Sequence, residues 1–403
     1  PFGLLVLAVA GVVLLAVLSS RLSQRVRVPA PLLFLTAAAV AAQVFPVLHS
    51  VDHRTVERLV TVALIIILFE GGLHIGWTRL RPVVGPVAVI GVAGTFLTTG
   101  ALAVLAHLAF GLDWWAALLV GTAIAPTDPA VVFSVLGQRE VSGPTGTLLE
   151  GESGANDPVG IALMAGLLGA GGITAASLVG IAGAFALQMV VGSLFGLVGG
   201  WALRWMRRRI VLPSEGLYPI QTLTGALAVF GAATVAHGSG FLAVFIAGVH
   251  LGDGQAPYKI EIERFHSALA SLGEIVAFVV LGLTVDLGVL ARADVWVAGL
   301  VIAVALAFVV RPLLVGACLL PFGLARNERA FVAWAGLKGA VPILLGLFLL
   351  TADVPDAPRL YGIVVVVVAF SVLVQGSTVP LAAQLLGVPM RKIEASPLDD
   401  PER

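Results

Sequence analysis

Apolar stretches recur from one end of this chain to the other, separated by short polar breaks. A helix that spans a bilayer needs about 20 mainly apolar residues. Thirteen stretches fit that pattern, at 1–20, 29–48, 55–73, 82–110, 113–137, 144–170, 174–203, 216–236, 239–252, 264–288, 294–320, 329–350 and 358–388, the ninth being short. The pattern predicts an all-α polytopic membrane protein with about 13 transmembrane helices.

The seventh stretch and the basic run Arg204-Trp-Met-Arg-Arg-Arg209 after it divide the chain, with six stretches on either side. An odd linker turns the second half over, so two inverted six-helix repeats are expected. The halves share no strong sequence identity. They do share a Pro/Gly-interrupted stretch in the fifth position of each: Gly121-Thr-Ala-Ile-Ala-Pro126-Thr-Asp-Pro129 in stretch 5, and Gly336-Leu-Lys-Gly339-Ala-Val-Pro342 in stretch 12. Paired interrupted helices point to a transporter's binding site.

Composition narrows the class. Charged residues make up 11% of the 403 positions and hydrophobic ones 59%, whereas a soluble domain carries about 25% charged residues. Net charge is zero, which argues against nucleic acid as a partner. The lone Cys318 excludes a disulfide framework. The chain opens on Pro1 without a charged n-region, so it reads as trimmed at its start, with no sign of a signal peptide.

Lys and Arg sort by loop. Seventeen fall after odd-numbered stretches or in the tail, and only Arg54, Arg58, Arg292 and Arg359 fall in the alternate loops. The bias places the N-terminus outside and the C-terminus in the cytoplasm of a cell (plasma) membrane. Two cations, Arg311 and Lys338, lie inside stretches.

Ionisable groups inside a bilayer cost at least about 2.5 kcal/mol each at its centre, so each needs a partner or a function. The acids so placed are Glu70, Asp128, Glu150, Glu152, Asp157 and Glu274. They outnumber Arg311 and Lys338, so at least one is protonated or cation-bound at any moment. Ser153 and Asp157 stand four apart and present a hydroxyl and a carboxylate on one helix face, oxygen ligands of the kind hard cations take. Asp157 is read as the ion and proton carrier.

Pro126 and Pro129 bracket Thr127 and Asp128, freeing backbone carbonyls. Asp128 and Lys338 are read mainly as compensating half-helix dipoles, and Glu152 with Arg311 as a buried charge pair. Glu70 is left open between ligand or gate and structural bond. Glu150 and Glu274 are read as interfacial or paired. The seven histidines lack ligand spacing and are read as loop and helix-end residues. No cofactor is expected beyond the transported ions.

Thr127-Asp128-Pro129, Glu152-Ser-Gly-Ala-Asn156-Asp157-Pro158 and Gly336-Leu-Lys338-Gly-Ala-Val-Pro342 resemble the monovalent cation:proton antiporter superfamily, in its sodium/proton exchanger branch. The nearest likeness is to bacterial potassium/proton antiporters. The resemblance implies exchange of K+ or Na+ for H+ by an elevator-like movement, with Asp157 binding cation or proton in competition. It implies ion and proton binding by Asp157, Asp128, Thr127, Ser153 and Asn156, sometimes with Glu70. The cation itself would lie at Asp157, Ser153 and Thr127.

It further implies a homodimer whose interrupted helices 5 and 12 cross beside Asp157. Scaffold and dimerisation helices would occupy 1–81 and 214–292, core helices 82–172 and 293–390, a linker helix and basic loop 173–213, and a cytoplasmic tail 391–403. The pair Asn156-Asp157 resembles electroneutral one-for-one exchangers. Two departures stand out: relatives more often carry Arg in place of Lys338, and many carry a cytoplasmic regulatory domain, here expected to be missing or absent after residue 403.

Two other readings compete. A sodium-coupled solute symporter on a similar fold would use the same oxygens. Gly151-Glu-Ser153-Gly154 also matches a short signature of intramembrane serine proteases, with His237 or His250 as base, but that chemistry leaves Glu152 and Asp157 without a role.

Overall fold

The computed structural model describes residues 3, 6, 7, 10–18, 29–45, 48, 51–136, 139–253 and 258–392. Part of the first apolar stretch and most of the tail lie outside them. The described chain is almost wholly helical. Its first half holds α1 (Ala30–Val44), α2 (His53–Leu80), α3 (Thr95–Phe110), α4 (Trp114–Ile124), α5 (Pro129–Leu136), α6 (Pro144–Ala170) and α7 (Ala175–Arg209). Its second half holds α8 (Leu217–Val235), α9 (Gly240–Gly252), α10 (Lys259–Leu283), α11 (Ala293–Ala305), α12 (Arg311–Cys318), α13 (Arg326–Trp334), α14 (Ala340–Thr351), α15 (Ala357–Phe370) and α16 (Ser377–Leu385). One short antiparallel pair, β1 (Arg139–Val141) with β2 (Met390–Lys392), ties the loop before α6 to the end of the described chain.

Among the described residues, six helical runs are long and apolar enough to cross a membrane: His53–Phe110, Trp114–Leu136, Ala175–Arg209, Lys259–Leu283, Ala293–Cys318 and Ala357–Leu385. α1, α9 and α14 are apolar but shorter. α6 has the length, at 27 residues, but carries Glu150, Glu152 and Asp157 within it. The tenth stretch is displaced from its expected 264–288, because the helix begins at Lys259 and takes the polar residues Glu261, Glu263 and Arg264 into its first turns.

Two packing groups surround the site. In one, α9 is pressed between α2 and α7. Small residues let these backbones approach: a Cβ on Gly72 would stand 2.9 Å from the Val249 amide, and one on Gly196 would stand 2.8 Å from the Ala243 carbonyl. α2 bends at Gly76, whose φ of 63° suits glycine. Asp253 closes that bend, its Oδ2 accepting from the Thr78 amide at 2.7 Å. The other group joins α4, α6, α11, α14 and α15. α7 buries only Ile181, Gly192, Gly196, Gly200, Leu203 and Arg207, and Leu194, Leu197, Trp201 and Trp205 stand exposed as a lipid-facing helix would have them.

Three π-helical turns interrupt the described helices. A π-helical turn over Val89–Gly94 precedes α3, a second over Leu306–Val310 precedes α12, and a third over Ser371–Gly376 precedes α16. Such single turns commonly mark functional regions.

Candidate functional site

Two helices break, and the breaks meet. Between α4 and α5, residues 125–128 leave the helix, and between α13 and α14, residues 335–339 do so. The local causes are visible in the sequence: Pro126 has no amide to donate, Pro129 disfavours helical backbone at Asp128, and Gly336 and Gly339 weaken the second helix. The strands of the two breaks are bonded directly, the Asp128 amide donating to the Leu337 carbonyl at 2.8 Å.

Each half-helix end exposes unpaired backbone groups that need partners. Lys338 Nζ donates to the Ala125 and Pro126 carbonyls at 2.8 and 2.9 Å, so the lysine of one break serves the C-terminal end of α4 in the other. Arg311 serves α13 in the same way, donating to the carbonyls of Ala333 at 3.0 Å and Val332 at 3.3 Å. Asp128 sits at the opposite poles. Its Oδ1 accepts from the Ala130 amide at 2.9 Å, and the amides of Val131 and Ala340, at the starts of α5 and α14, also face it. Gly339 lies against this carboxylate and Gly336 against the Arg311 guanidinium, positions where a Cβ has no room.

α6 passes beside the breaks and supplies the remaining groups. Asn156 holds Thr127 twice, donating from Nδ2 to the hydroxyl at 2.8 Å and accepting from the Thr127 amide at 3.3 Å. Ser153 donates to Asp157 Oδ2 at 3.2 Å. The other oxygen, Oδ1, is buried and has no hydrogen-bond partner among the described residues. One turn back, Glu152 takes both its bonds from Arg311 Nη2, at 2.8 and 2.9 Å. Both side chains of that pair are about 4% exposed or less, so the pair is shielded from water.

Asp157, Ser153, Asp128 and Glu70 line one cavity of about 490 Å³ together with Phe245 and Glu274. The arrangement presents an under-bonded carboxylate, a hydroxyl and a second carboxylate to one cavity. That is chemistry for holding a small cation or a proton.

A model of the transmembrane sodium/hydrogen exchanger family matches residues 11–385. The chain belongs to that family. The chain is 35% identical over 380 residues to the K(+)/H(+) antiporter NhaP2 of Shewanella oneidensis, covering 93% of this chain and 65% of that protein. It is 32% identical over 392 residues to the K(+)/H(+) antiporter NhaP of Alkalimonas amylolytica, covering 96% and 68%. It is 28% identical to the Na(+)/H(+) antiporter NhaP of Pseudomonas aeruginosa, over 84% of each. This sequence thus spans about two thirds of the length of the NhaP2 relatives. The solved sodium proton antiporter MjNhaP1 of Methanocaldococcus jannaschii shares the fold, with a TM-score of 0.74 at 22% identity over 93% of this chain and 99% of that one.

The candidate ion-site and charge-pair residues of this exchanger-family sequence gather at the breaks and the cavity. Thr127, Asp128, Ser153, Asn156, Asp157 and Lys338 gather at the crossing, Glu152 and Arg311 flank it, and Glu70 faces the cavity from α2. Two expectations are corrected. Glu274 is not a paired group: it lines the cavity, takes part in no ion pair among the described residues, and its Oε1 has no hydrogen-bond partner there. His266 is neither a loop nor a helix-end residue but is fully buried within α10, its Nδ1 bonded to the Ile262 carbonyl at 2.8 Å.

Sequence reasoning also missed a polar chain behind Lys338. The Lys338 amide donates to Ser371 Oγ at 3.1 Å, Ser371 donates to Gln375 Oε1 at 2.9 Å, and Gln375 donates to the Trp334 carbonyl at 3.3 Å. Two polar residues four apart in the apolar stretch 358–388 were the available signal.

Proposed function

We propose that this protein is a secondary antiporter exchanging a monovalent cation, K+ or Na+, for H+, with Asp157 as the carrier. The observation that carries the reading is the Asp157 carboxylate: one oxygen is held by Ser153 and the other lacks a hydrogen-bond partner, while the residue faces a cavity through which an ion can arrive. Protonated Asp157 binds a cation and releases its proton, and the reverse step restores the acid. Either ligand neutralises the carboxylate, and an empty charged site bears the membrane penalty if it moves. That difference couples the two fluxes.

The reading extends to thirteen crossings in two inverted six-helix repeats. The interrupted pairs α4/α5 and α13/α14 support it, as do the π-helical turns at equivalent places, in the fourth stretch and the eleventh. Core segments 82–172 and 293–390 would move against scaffold segments 1–81 and 214–292 of a homodimer, the linker 173–213 joining them. The dimer rests on the family resemblance. A plasma-membrane location, with the N-terminus outside and the C-terminus and tail 391–403 cytoplasmic, rests on the basic loops. No cofactor enters this scheme. The exchanger relatives weigh against a protease, and Ser153 is read here as a ligand.

The test uses purified protein in proteoliposomes with a pH dye. Adding sodium or potassium alone should move protons, whereas a symporter would require its organic solute. Asp157→Asn should abolish that flux while the protein still purifies as a folded species. Substantial residual exchange in D157N would overturn the assignment.

A further inference from the structure

The cavity at Asp157 does not end at Glu274. A second pocket, of about 460 Å³, shares Glu70, His74, Ser267 and Ser271 with it and reaches outward to Glu263 and Arg264. From α10 the shared wall presents Glu263, Ser267, Ser271 and Glu274, spaced four, four and three residues apart. That spacing places them on successive turns of one helix face. Glu263 stands at the outer end, 44% exposed in its side chain and 3.5 Å from Lys259. Glu274 stands at the inner end, in the same cavity as Asp157.

A run of oxygens along one face of a membrane helix needs a reason, because lipid would penalise it and a packed interface would bond it. Packing does not supply that reason. Ser267 and Ser271 are exposed, and the only hydrogen bond described for either hydroxyl runs from Ser271 to the Ser267 carbonyl at 3.0 Å. Glu274 Oε1 is buried without a hydrogen-bond partner among the described residues.

We propose that the Glu263–Ser267–Ser271–Glu274 face of α10 is the water-filled access path to the transport site, and that Glu274 is a staging ligand at which a monovalent cation rests before reaching Asp157. The proposal rests on the antiport reading and adds a binding position to it. The hydroxyls replace part of the ion's hydration along the way, and the carboxyl group of Glu274 at the inner end offers the cation oxygen ligands beyond Arg264 at the mouth. Glu274 belongs to α10, on the scaffold side, so it loads the site without travelling with it.

Two measurements test this, and the first needs no transport. With Cys318→Ser removing the one cysteine of this sequence, Ser267→Cys and Ser271→Cys should react with a small cationic thiol reagent. Leu272→Cys, on an exposed position one residue away and off the stripe, should not. In the second, Glu274→Gln should raise the KM for sodium or potassium about tenfold while lowering kcat much less, with Glu274→Asp restoring most of the difference. Should E274Q fail to fold, Ser271→Val takes its place and should raise KM in the same sense. Unreactive cysteines at 267 and 271 would overturn the path, and an unchanged KM in the substituted protein would overturn the staging role. Loss of exchange in the parent chain would sink the antiport reading alone, because the labelling pattern stands apart from it.

Discussion

Arg311 satisfies four acceptors with one guanidinium: both oxygens of Glu152 and the last carbonyls of α13. Its replacement by alanine strands a buried carboxylate and two helix-end carbonyls together. Breaking a buried pair from one side costs about 3–5 kcal/mol, so Arg311→Ala should lower the thermal unfolding temperature of the solubilised protein sharply. Arg311→Lys keeps the charge but loses the planar fork that meets Glu152 and the carbonyls at once. It should fall between the two, and an R311K midpoint as low as that of R311A would show that charge is not what Glu152 needs. Glu274 is the opposite case. It has no counter-ion among the described residues, which makes removing its charge a question of ion handling more than of stability.

At the scale of elements, the unwound segment 125–128 is held in shape by α6. Asn156 makes two bonds to Thr127, each worth about 1 kcal/mol in a typical protein context. Asn156→Ala should therefore cost stability modestly and raise the KM for cation, since Thr127 loses its positioning. Thr127→Val removes only the hydroxyl partner and should lower the unfolding midpoint about half as much; equal losses would mean that the amide contact carries nothing. How far such an arrangement is legible in a sequence depends on the range of its causes. The breaks follow from Pro126, Pro129, Gly336 and Gly339, local residues with local effects, and the apolar stretches locate most of the described helices, the tenth being shifted by five residues. The partner of each half-helix end does not follow, because Lys338 finds Ala125 and Pro126 across more than two hundred residues, and only the packed crossing brings them together. The unpaired state of Glu274 was hidden for the same reason, since a lone acid in an apolar stretch looks alike whether it faces a partner or a cavity.

For the whole molecule, the decisive quantity in the proposed antiport cycle is the charge that crosses in each half-cycle. The groups near the crossing that would travel with the core are Asp128, Glu152 and Asp157 against Arg311 and Lys338, one negative charge in excess when all are ionised. In the proposed cycle, one cation or one proton at Asp157 would remove that excess equally. Any fixed charge carried across with the cation is carried back with the proton, so only the two ligands count over a cycle. A second titrating acid beside Asp157 would change the balance, but the neighbouring position is Asn156, an amide already committed to Thr127. Exchange should then be one for one and blind to membrane potential. One net charge per cycle would be worth about 2.3 kcal/mol per 100 mV, roughly a fifty-fold bias. The measurement is cation-driven proton flux in proteoliposomes whose potential is clamped at zero and then at 100 mV of either sign by an ionophore for an ion the protein does not carry. Equal rates at the three settings are expected, and a rate that climbs steeply with one sign would mean that another carboxylate, with Asp128 the nearest candidate at the crossing, takes up a proton of its own.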